Sequence, residues 1–508
     1  MDAVEREPPS RARALEELGS RRFDLLVIGA GILGAGIANE ASRHGLAVAL
    51  VDRGDFGAAT TSASSKLVHG GLRYLPLGDV RLVREAHAER RVLTRIVAPH
   101  LVRRLSFLVP LYVGGPYRPL TVQAGLWLYS TIARERLGGF VRPERARRHV
   151  PPLRLEGLRG CGLYSDAWTN DSRLCLANVR AAADRGATVL NYAEVTALRI
   201  EGGRVAGADV EGMPVSARTV VNATGPWVDA VRRLEDPHAA PSSRLSKGVH
   251  VLLSLAEPWS AALTIPHDRV RVSFAVPWEG MLMLGTTDTL YEGDPSSVTA
   301  TEEDVRQILA EASVALEGDA LRSDAVRCVY AGLRVLPGTG ESTARARRET
   351  VFLRGPAGML SVAGGKLTTY RRISLNALAR LRGDLGLHRL DRTPVPLPGA
   401  ADPFQVAGRL GRRFPDLELA ARWHLAHLYG SLAEDVLAGA EDDPALLRPL
   451  HPDAPDVAAQ AVYAGRHEWA VTAEDVLRRR TTLALRGLGD TLLPPTADLG
   501  HDETASRA

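Results

Sequence analysis

A glycine-rich segment near the N-terminus has the spacing of a dinucleotide-binding turn. Gly29, Gly31 and Gly34 follow the apolar run Phe23–Ile28, and Asp52 lies 18 residues beyond Gly34. Glycines at this spacing allow a tight turn and let the N–H groups of a helix N-terminus approach a pyrophosphate. An acidic residue at the end of the next strand accepts hydrogen bonds from ribose hydroxyls. The pattern predicts dinucleotide binding but does not by itself distinguish FAD from NAD.

Three further stretches favour FAD. Asn222–Trp227 (NATGPW) is a turn after an apolar strand, and Gly364–Tyr370 (GGKLTTY) places two glycines before a helix start. N–H groups at such a start can stabilise negative charge on a reduced flavin or a phosphate. Thr60–Lys66 (TTSASSK) is dense in hydroxyls, which suits a diphosphate. Each stretch also has a purely structural interpretation, as a strand-ending turn, a capped helix and a solvated loop respectively.

The elements around the first turn form a compact unit. Phe23–Ile28 and Leu46–Asp52 have the continuous apolar character of buried parallel strands, and Ile32–Arg43 between them has helical periodicity. Together they predict one βαβ unit. Residues 111–125 are rich in proline and glycine and predict a loop, followed by a helix over Leu126–Leu137.

The rest of the chain divides into a strand-rich and a helical part. Val195–Ile200 and Arg204–Val210 predict a hairpin, and His250–Thr287 predicts an antiparallel sheet. Prolines at 394, 396 and 398 mark a boundary, after which helical patterns follow, the last of them over Ala473–Leu485.

Composition excludes several classes of protein. The 508 residues are 45% hydrophobic and carry a net charge of only +4, so a disordered chain and a nucleic-acid binder are disfavoured. The three cysteines form no CxxC pair, which argues against a metal or iron–sulfur site and suits a reducing cytosol. The N-terminal residues lack the apolar region of a secretory signal, and no apolar run is long enough to span a membrane. Only three of the 63 basic residues are lysines, at positions 66, 247 and 366.

These three lysines all lie in a series of distinctive stretches. The stretches follow one another over about residues 20–490 and are GAGILG (29–34), TSASSKLVHGGLRY (61–74), SDAWTNDSRL (165–174), NATGPW (222–227), SKGVH (246–250), GTTD (285–288), YAGLR (330–334), GGKLTTYR (364–371) and HEWAVTAEDVLRRRT near the C-terminus. They resemble one family, the FAD-dependent glycerol-3-phosphate dehydrogenases of the aerobic, quinone-linked type.

The resemblance implies a fold and a domain organisation. The expected class is α/β plus α, with a glutathione-reductase-like FAD-binding domain, an antiparallel β-sheet substrate domain and a C-terminal helical domain. The expected boundaries are 1–20 for a flexible extension, 21–85, 160–245 and 330–388 for the FAD-binding domain, 86–159 and 246–329 for the substrate domain, 389–490 for the helical domain and 491–508 for a flexible tail.

The resemblance also implies an activity: oxidation of sn-glycerol 3-phosphate to dihydroxyacetone phosphate, with FAD as cofactor and membrane quinone as electron acceptor, in glycerol catabolism. It implies catalytic roles for His250, Arg334 and Lys366 and substrate binding by Arg73 and Tyr74. His250 is the preferred proton acceptor because the pKa of histidine lies near neutrality. The implied cofactor-binding residues are Gly29, Gly31, Gly34, Asp52, Thr61, Ser62, Ser65, Lys66, Val195, Ala223, Gly225, Gly365, Leu367 and Thr368.

The expected location is cytoplasmic, with peripheral contact to the membrane surface. The basic stretches Arg81–Arg104 and Leu126–Arg148, the second with Trp127 and Tyr129, suit an anionic lipid surface, and they equally suit core helices with charged outer faces. No nucleic acid or metal is expected, and a homodimer is allowed. A polar network that caps a helix near Leu174 is the expected role of Asp166, Asp171 and Arg173.

Three alternative functions stay open. One is a glycerol-3-phosphate oxidase that reduces oxygen, although the insertion typical of that type is not found. Another is an FAD oxidoreductase of the glycine/sarcosine or 2-hydroxyglutarate type, which lacks the SSKLxHGGLRY motif. The third is a cofactor-binding sensor without catalytic activity.

Overall fold

The computed structural model describes residues 10–72, 75, 79–135, 138–268, 271–338 and 350–494. The strands of this part of the chain are β1 Arg22–Ile28, β2 Val48–Val51, β3 Leu67–Val68, β4 Arg103–Tyr112, β5 Gly139–Val141, β6 Leu158–Trp168, β7 Thr188–Leu190, β8 Val195–Glu201, β9 Arg204–Val210, β10 Met213–Asn222, β11 Ser243–Ser254, β12 Ala261–Pro266, β13 Val272–Trp278, β14 Met281–Gly285, β15 Thr289–Tyr291, β16 Val326–Pro337, β17 Val351–Arg354 and β18 Leu360–Ala363. The helices are α1 Arg11–Ser20, α2 Ile32–Arg43, α3 Val80–Val92, α4 Pro119–Ala133, α5 Pro143–His149, α6 Asp171–Ala183, α7 Val228–Glu235, α8 Glu302–Ala312, α9 Tyr370–Arg380, α10 Pro403–Arg413, α11 Leu419–Tyr429, α12 Ala433–Val436, α13 Ala458–His467 and α14 Ala473–Asp475.

The first sheet carries the predicted βαβ unit. Its strand order is β17-β18-β10-β1-β2-β7, and the β8–β9 hairpin continues from β10. The pairs of β1 with β2 and with β10 are parallel, and α2 forms the crossover between β1 and β2. All four residues of β2 are buried, as expected for a parallel strand covered on both faces. The sequence prediction of this unit, and of the β8–β9 hairpin, is confirmed.

The second sheet is mostly antiparallel and has the order β15-β11-β14-β13-β12-β4-β6-β3, with β16 paired to β11 and β5 to β6. The predicted antiparallel arrangement of His250–Thr287 is confirmed by the β11–β14 and β13–β14 pairs. The register of β11 on β16 places His250 opposite Tyr330 and Ser246 opposite Arg334. Consequently His250 and Arg334 lie on the same face of this sheet, because side chains alternate along a strand.

The C-terminal part is helical, as predicted, and has its own apolar core that includes Val406, Leu410 and Leu425. The prediction of one helix over Ala473–Leu485 is wrong. There α14 gives way to a π-helical turn at Val476–Arg480.

Two other segments also differ from expectation. The predicted loop over residues 111–125 is wrong in its second half, where α4 begins at Pro119, because proline at the first helical position loses no intrahelical hydrogen bond. In the segment expected to be a flexible extension, α1 buries Ala14 and Leu18, and the side-chain hydroxyl of Ser10 accepts a hydrogen bond from Arg13 N–H. No helix among the described residues combines the length and apolar character needed to cross a bilayer.

Candidate active site

The glycine-rich turn lies between β1 and α2. Gly29 has φ +95°, and a Cβ there would lie 2.8 Å from the carbonyl oxygen of Ala223 on the neighbouring strand. A Cβ at Gly34 would lie 1.8 Å from the carbonyl oxygen of Gly29. Gly31 caps α2 without a side-chain hydrogen bond, and the N–H of Ile32 is bonded to Thr61, so an anion at this helix end would bind the N–H groups that follow Ile32.

Asp52 follows β2 and holds the glycine-rich turn. Its Oδ2 accepts a hydrogen bond from Ala30 N–H at 2.6 Å, and its Oδ1 accepts one from Gly54 N–H at 3.0 Å. Burial raises the pKa of Asp52 to about 6, although both hydrogen bonds act in the opposite direction. Because each carboxylate oxygen can accept a second hydrogen bond, Asp52 keeps the capacity to bind ribose hydroxyls.

The hydroxyl-rich loop contacts mainly the protein itself. Thr61 Oγ1 accepts a hydrogen bond from Ile32 N–H at 3.0 Å, beside the glycine-rich turn. Ser62 donates to the carbonyl oxygen of Ala58 at 3.1 Å. Thr61 therefore shapes the predicted cofactor site directly, whereas Ser62 stabilises the loop from within.

Lys66 is almost completely buried at the end of this loop and has φ +54°. Its Nζ donates to Asp171 Oδ1 at 2.7 Å and to the carbonyl oxygen of Ser62 at 3.1 Å. Asp171 also accepts a hydrogen bond from Ser64 Oγ at 2.7 Å. The ammonium thus ties the loop to α6.

His250 is buried on β11 and bonds to a residue of the same loop. Its Nε2 lies 2.8 Å from Ser65 Oγ, and its ring stacks on Tyr330 with a centroid separation of 5.1 Å. Nδ1 is buried and has no hydrogen-bond partner. Burial holds the pKa of His250 well below 6.5, and the positive charges of Arg334 and Lys66 lower it further. The imidazole is therefore neutral at physiological pH, and its surroundings oppose protonation.

Arg334 extends across β11 from its place on β16. Its guanidinium donates to Thr286 Oγ1 at 2.6 Å and to the carbonyl oxygen of Thr287 at 3.1 Å, and it lies 3.5 Å from Asp288. A Cβ at Gly248 would lie 2.5 Å from Arg334 Nη2, so the glycine of SKGVH makes room for the guanidinium. This arrangement places a fixed positive charge near His250.

The GGKLTTY segment is tied to the SSKLVHGG loop. Thr368 Oγ1 accepts a hydrogen bond from His69 N–H at 3.1 Å and lies 3.2 Å from the carbonyl oxygen of His69. Lys366 precedes the short 3₁₀ turn Leu367–Thr369, and the side chain of Leu367 packs against the core beside α2. Gly365 has φ +111°, which favours glycine.

The remaining predicted cofactor residues lie around the end of the first sheet. Ala223 donates its N–H to the carbonyl oxygen of Ile28 at 2.8 Å. Gly225 has φ +56°, and a Cβ there would meet no atom within 4 Å, which leaves space beside the turn. Val195 begins β8, two residues after Ala193, whose N–H donates to the carbonyl oxygen of Asp52. Arg73 and Tyr74, the predicted substrate-binding pair, lie outside the described residues.

Sequence reasoning missed the buried polar partners of these loops. Asp166 accepts a hydrogen bond from Gly70 N–H at 2.8 Å and contacts Arg90 and Tyr129, and Arg173 pairs with Glu468. The prediction that Asp166, Asp171 and Arg173 cap a helix is confirmed only for Asp171, whose Oδ1 accepts a hydrogen bond from Ser172 N–H at 2.9 Å in the first turn of α6. The cap of α6 is Asn170, whose side chain accepts a hydrogen bond from the N–H of Arg173 at 3.1 Å. Spacing in SDAWTNDSRL does not reveal partners that come from distant elements.

Comparison with known proteins identifies relatives over nearly the whole chain. Residues 24–371 match the model of the FAD dependent oxidoreductase family, and residues 393–505 match the C-terminal domain of alpha-glycerophosphate oxidase. The chain is 36% identical to glycerol-3-phosphate dehydrogenase 2 of Mycobacterium tuberculosis, covering 94% of this chain and 84% of the relative. It is also 36% identical to D-erythritol 1-phosphate dehydrogenase of Brucella abortus, covering 90% and 94%.

A solved structure agrees with this relationship. The glycerol-3-phosphate dehydrogenase of Bacillus halodurans, complexed with FAD, superposes with a TM-score of 0.76 at 29% identity, covering 95% of this chain and 90% of that one. The close glycine turn before α2, the free accepting capacity of Asp52 and the space beside Gly225 fit an FAD molecule.

Proposed function

The chain belongs to the FAD-dependent glycerol-3-phosphate dehydrogenases, and we propose from this premise that it oxidises the secondary hydroxyl of sn-glycerol 3-phosphate to give dihydroxyacetone phosphate. The observation that carries the proposal is the position of His250 on the same sheet face as Arg334. When bound, FAD supplies the two-electron acceptor for this oxidation.

In this proposal His250 takes the proton of the substrate hydroxyl. Ser65 holds Nε2, so the proposal assigns the proton to Nδ1 when Nε2 carries the ring hydrogen, which requires the substrate hydroxyl to reach this buried atom. Arg334 stabilises the negative charge that develops on the substrate oxygen or resides on its phosphate, because a guanidinium holds such oxygens in a fixed geometry. Lys366, after two glycines at a helix start, is proposed to hold a second substrate oxygen.

The role of His250 is tested with His250→Asn, whose shorter amide side chain stays polar near the position of Nδ1 but cannot accept a proton. We expect turnover with glycerol 3-phosphate to fall by about 100-fold or more, the usual size of a general-base contribution, with FAD still bound. Near-normal turnover across the pH range would contradict the assignment.

The closest alternative concerns the substrate. The identity to a D-erythritol 1-phosphate dehydrogenase equals that to the glycerol-3-phosphate dehydrogenase, so a longer phosphorylated polyol is the second candidate. Both substrates require phosphate recognition and oxidation of a hydroxyl-bearing carbon. Comparison of kcat/KM for the two phosphates distinguishes them, and we expect glycerol 3-phosphate to be preferred.

We further propose membrane quinone as the electron acceptor, with α4 resting on the lipid surface. One face of α4 exposes Leu120 (85% exposed), Trp127 (52%) and Leu128 (49%), which recur at helical spacing. An exposed apolar stripe of this kind suits insertion at a lipid interface. By contrast, Arg90 of α3 is buried against Asp166, so it is not available to lipid headgroups.

Vesicle flotation with anionic lipid tests this surface. Trp127→Glu should lower the bound fraction, whereas Leu419→Glu, at an even more exposed apolar position on α11, should not. Equal binding of both variants and the parent would contradict the role of α4. Assays with a soluble quinone and with oxygen as sole acceptors then separate the dehydrogenase from the oxidase, and we expect much faster turnover with quinone.

A further inference from the structure

The C-terminal helical part contacts the segment that follows β2 through a buried carboxylate. Asp55 lies three residues beyond Asp52 and is completely buried. Its Oδ1 accepts a hydrogen bond from Arg480 Nη2 at 2.8 Å, and its Oδ2 contacts both Arg479 and Arg480. Burial would raise the pKa of Asp55, but the two guanidiniums hold it below its usual range. The carboxylate is thus ionised and paired with two cations from a distant part of the chain.

The local backbone explains how two adjacent arginines reach one carboxylate. On a regular α-helix, neighbouring side chains diverge by about 100°, and they do not share a partner easily. Val476–Arg480 instead form a π-helical turn, which alters the direction of successive side chains. Asp475 at its start bonds to Arg479 as well, at 2.5 Å, and so orients that guanidinium.

Further contacts surround this pair of arginines. Asn191 donates to Asp55 Oδ1 at 3.2 Å and to the carbonyl oxygen of Trp469 at 2.8 Å. The ring of Trp469 meets Phe56 edge to face at 5.7 Å. The segment after β2 is therefore held by both polar and apolar contacts from the C-terminal helical part.

The same segment forms hydrogen bonds with both backbone groups of Ala30 in the glycine-rich turn. Ala30 N–H donates to the Asp52 carboxylate at 2.6 Å, and the carbonyl oxygen of Ala30 accepts a hydrogen bond from Gly57 N–H at 3.1 Å. Asp55 lies between these two contacts. The segment that carries Asp55 thus holds the backbone of Ala30 through both its N–H and its carbonyl group.

We infer that the C-terminal helical part completes the FAD site. Arg479 and Arg480 are positioning residues: they fix the segment Asp52–Gly57, which in turn fixes Ala30 in the turn that binds the FAD diphosphate. This assigns a role to Arg479 and Arg480 of the HEWAVTAEDVLRRRT stretch, which act on the turn through Asp55.

The test measures FAD retention rather than turnover. In Arg480→Met holoenzyme, we expect FAD to dissociate about tenfold faster or more and its Kd to rise by a similar factor, since an ionic hydrogen bond to a buried carboxylate is lost. Arg480→Lys should restore part of the loss. Arg479→Gln removes a single guanidinium and provides a milder variant should Arg480→Met fail to fold.

A matched control separates positioning from general stability. Leu410→Ala opens a cavity in the apolar core of the same helical part, remote from Asp55. This variant should lower the unfolding temperature while leaving the Kd for FAD within about twofold of the parent, since it does not alter the contacts on Asp55. The inference is overturned if the arginine variants retain FAD as the parent does, or if Leu410→Ala loses FAD to the same extent at an equal loss of thermal stability.

Discussion

The ion pair between Lys66 and Asp171 gives the sharpest prediction about the loop that carries Ser65. Both side chains are buried, with 1% and 0% of their surfaces exposed, and the Nζ–Oδ1 distance is 2.7 Å. Lys66→Met removes the ammonium and leaves Asp171 buried without a charge partner. Loss of one member of a buried pair typically costs about 3–5 kcal/mol of unfolding free energy. We expect the lower end of this range, because Ser64 Oγ and Ser172 N–H still donate to Asp171.

A double-mutant cycle with Asp171→Asn isolates the interaction. The double variant carries no unpaired charge, so its loss of unfolding free energy should be smaller than the sum of the single losses by about 2 kcal/mol. Chemical denaturation of the holoenzyme, followed by flavin fluorescence, reports the unfolding transition that includes this loop. Kinetic assays on the same variants should show a larger change for Lys66→Met than for the double variant.

The opposite result would assign Lys66 a different role. The coupling energy between Lys66 and Asp171 could fall below about 0.5 kcal/mol while the Kd for FAD rises in both variants that lack Lys66. This result would mean that the ammonium binds the cofactor directly. Such an outcome would refute the interpretation that Lys66 acts by anchoring the loop to α6.

Three further predictions concern the turn and the buried ionisable groups. Gly34→Ala should abolish FAD binding, because its Cβ would lie 1.8 Å from a backbone oxygen. In the control Gly125→Ala, a Cβ meets nothing within 4 Å, and the substitution should stabilise α4 by about 1 kcal/mol. Equal FAD content in the two variants would contradict this prediction. Because the pKa of Asp52 is raised to about 6 and ribose hydroxyls require the ionised form, the Kd for FAD should rise as pH falls below 6, and Asp52→Asn should remove this dependence. Burial lowers the pKa of His87 to about 3, so below pH 6.5 this histidine binds a proton in the unfolded chain but not in the folded one. At pH 5 the parent should therefore lose about 2 kcal/mol of unfolding free energy that the His87→Leu variant does not lose. Unfolding temperatures that fall equally with pH in the two proteins would be evidence against this prediction.

Local sequence patterns predict the part of the fold where neighbouring residues determine the structure. The β1–α2–β2 unit follows from an apolar strand, glycines at a turn and helical periodicity, all within one short stretch. The same reasoning failed at residues 111–125 and at Ala473–Leu485. In the first, proline stands at a helix start rather than in a loop. In the second, the backbone departs from a regular helix where Arg479 and Arg480 meet Asp55.

The candidate site was predictable only as a set of motifs. His250 and Arg334 were singled out from their motifs, and the register of β11 on β16 places them on one face. Ser65 as the partner of His250, and Asp171 as the partner of Lys66, could not be predicted, because each pair joins residues more than 100 positions apart. The three lysines show the same limit: Lys247 pairs with Asp304 at 2.6 Å, a contact that its motif does not indicate.

Anaerobic titration of the purified flavoprotein with sn-glycerol 3-phosphate tests the proposed activity most directly. We expect the absorbance of oxidised flavin to disappear with one equivalent of substrate per flavin, and a quinone then to restore it. We also expect His250→Asn protein to be reduced far more slowly at unchanged flavin content. Flavin that stays oxidised in excess glycerol 3-phosphate, or that is reduced equally fast without His250, would contradict the central claim.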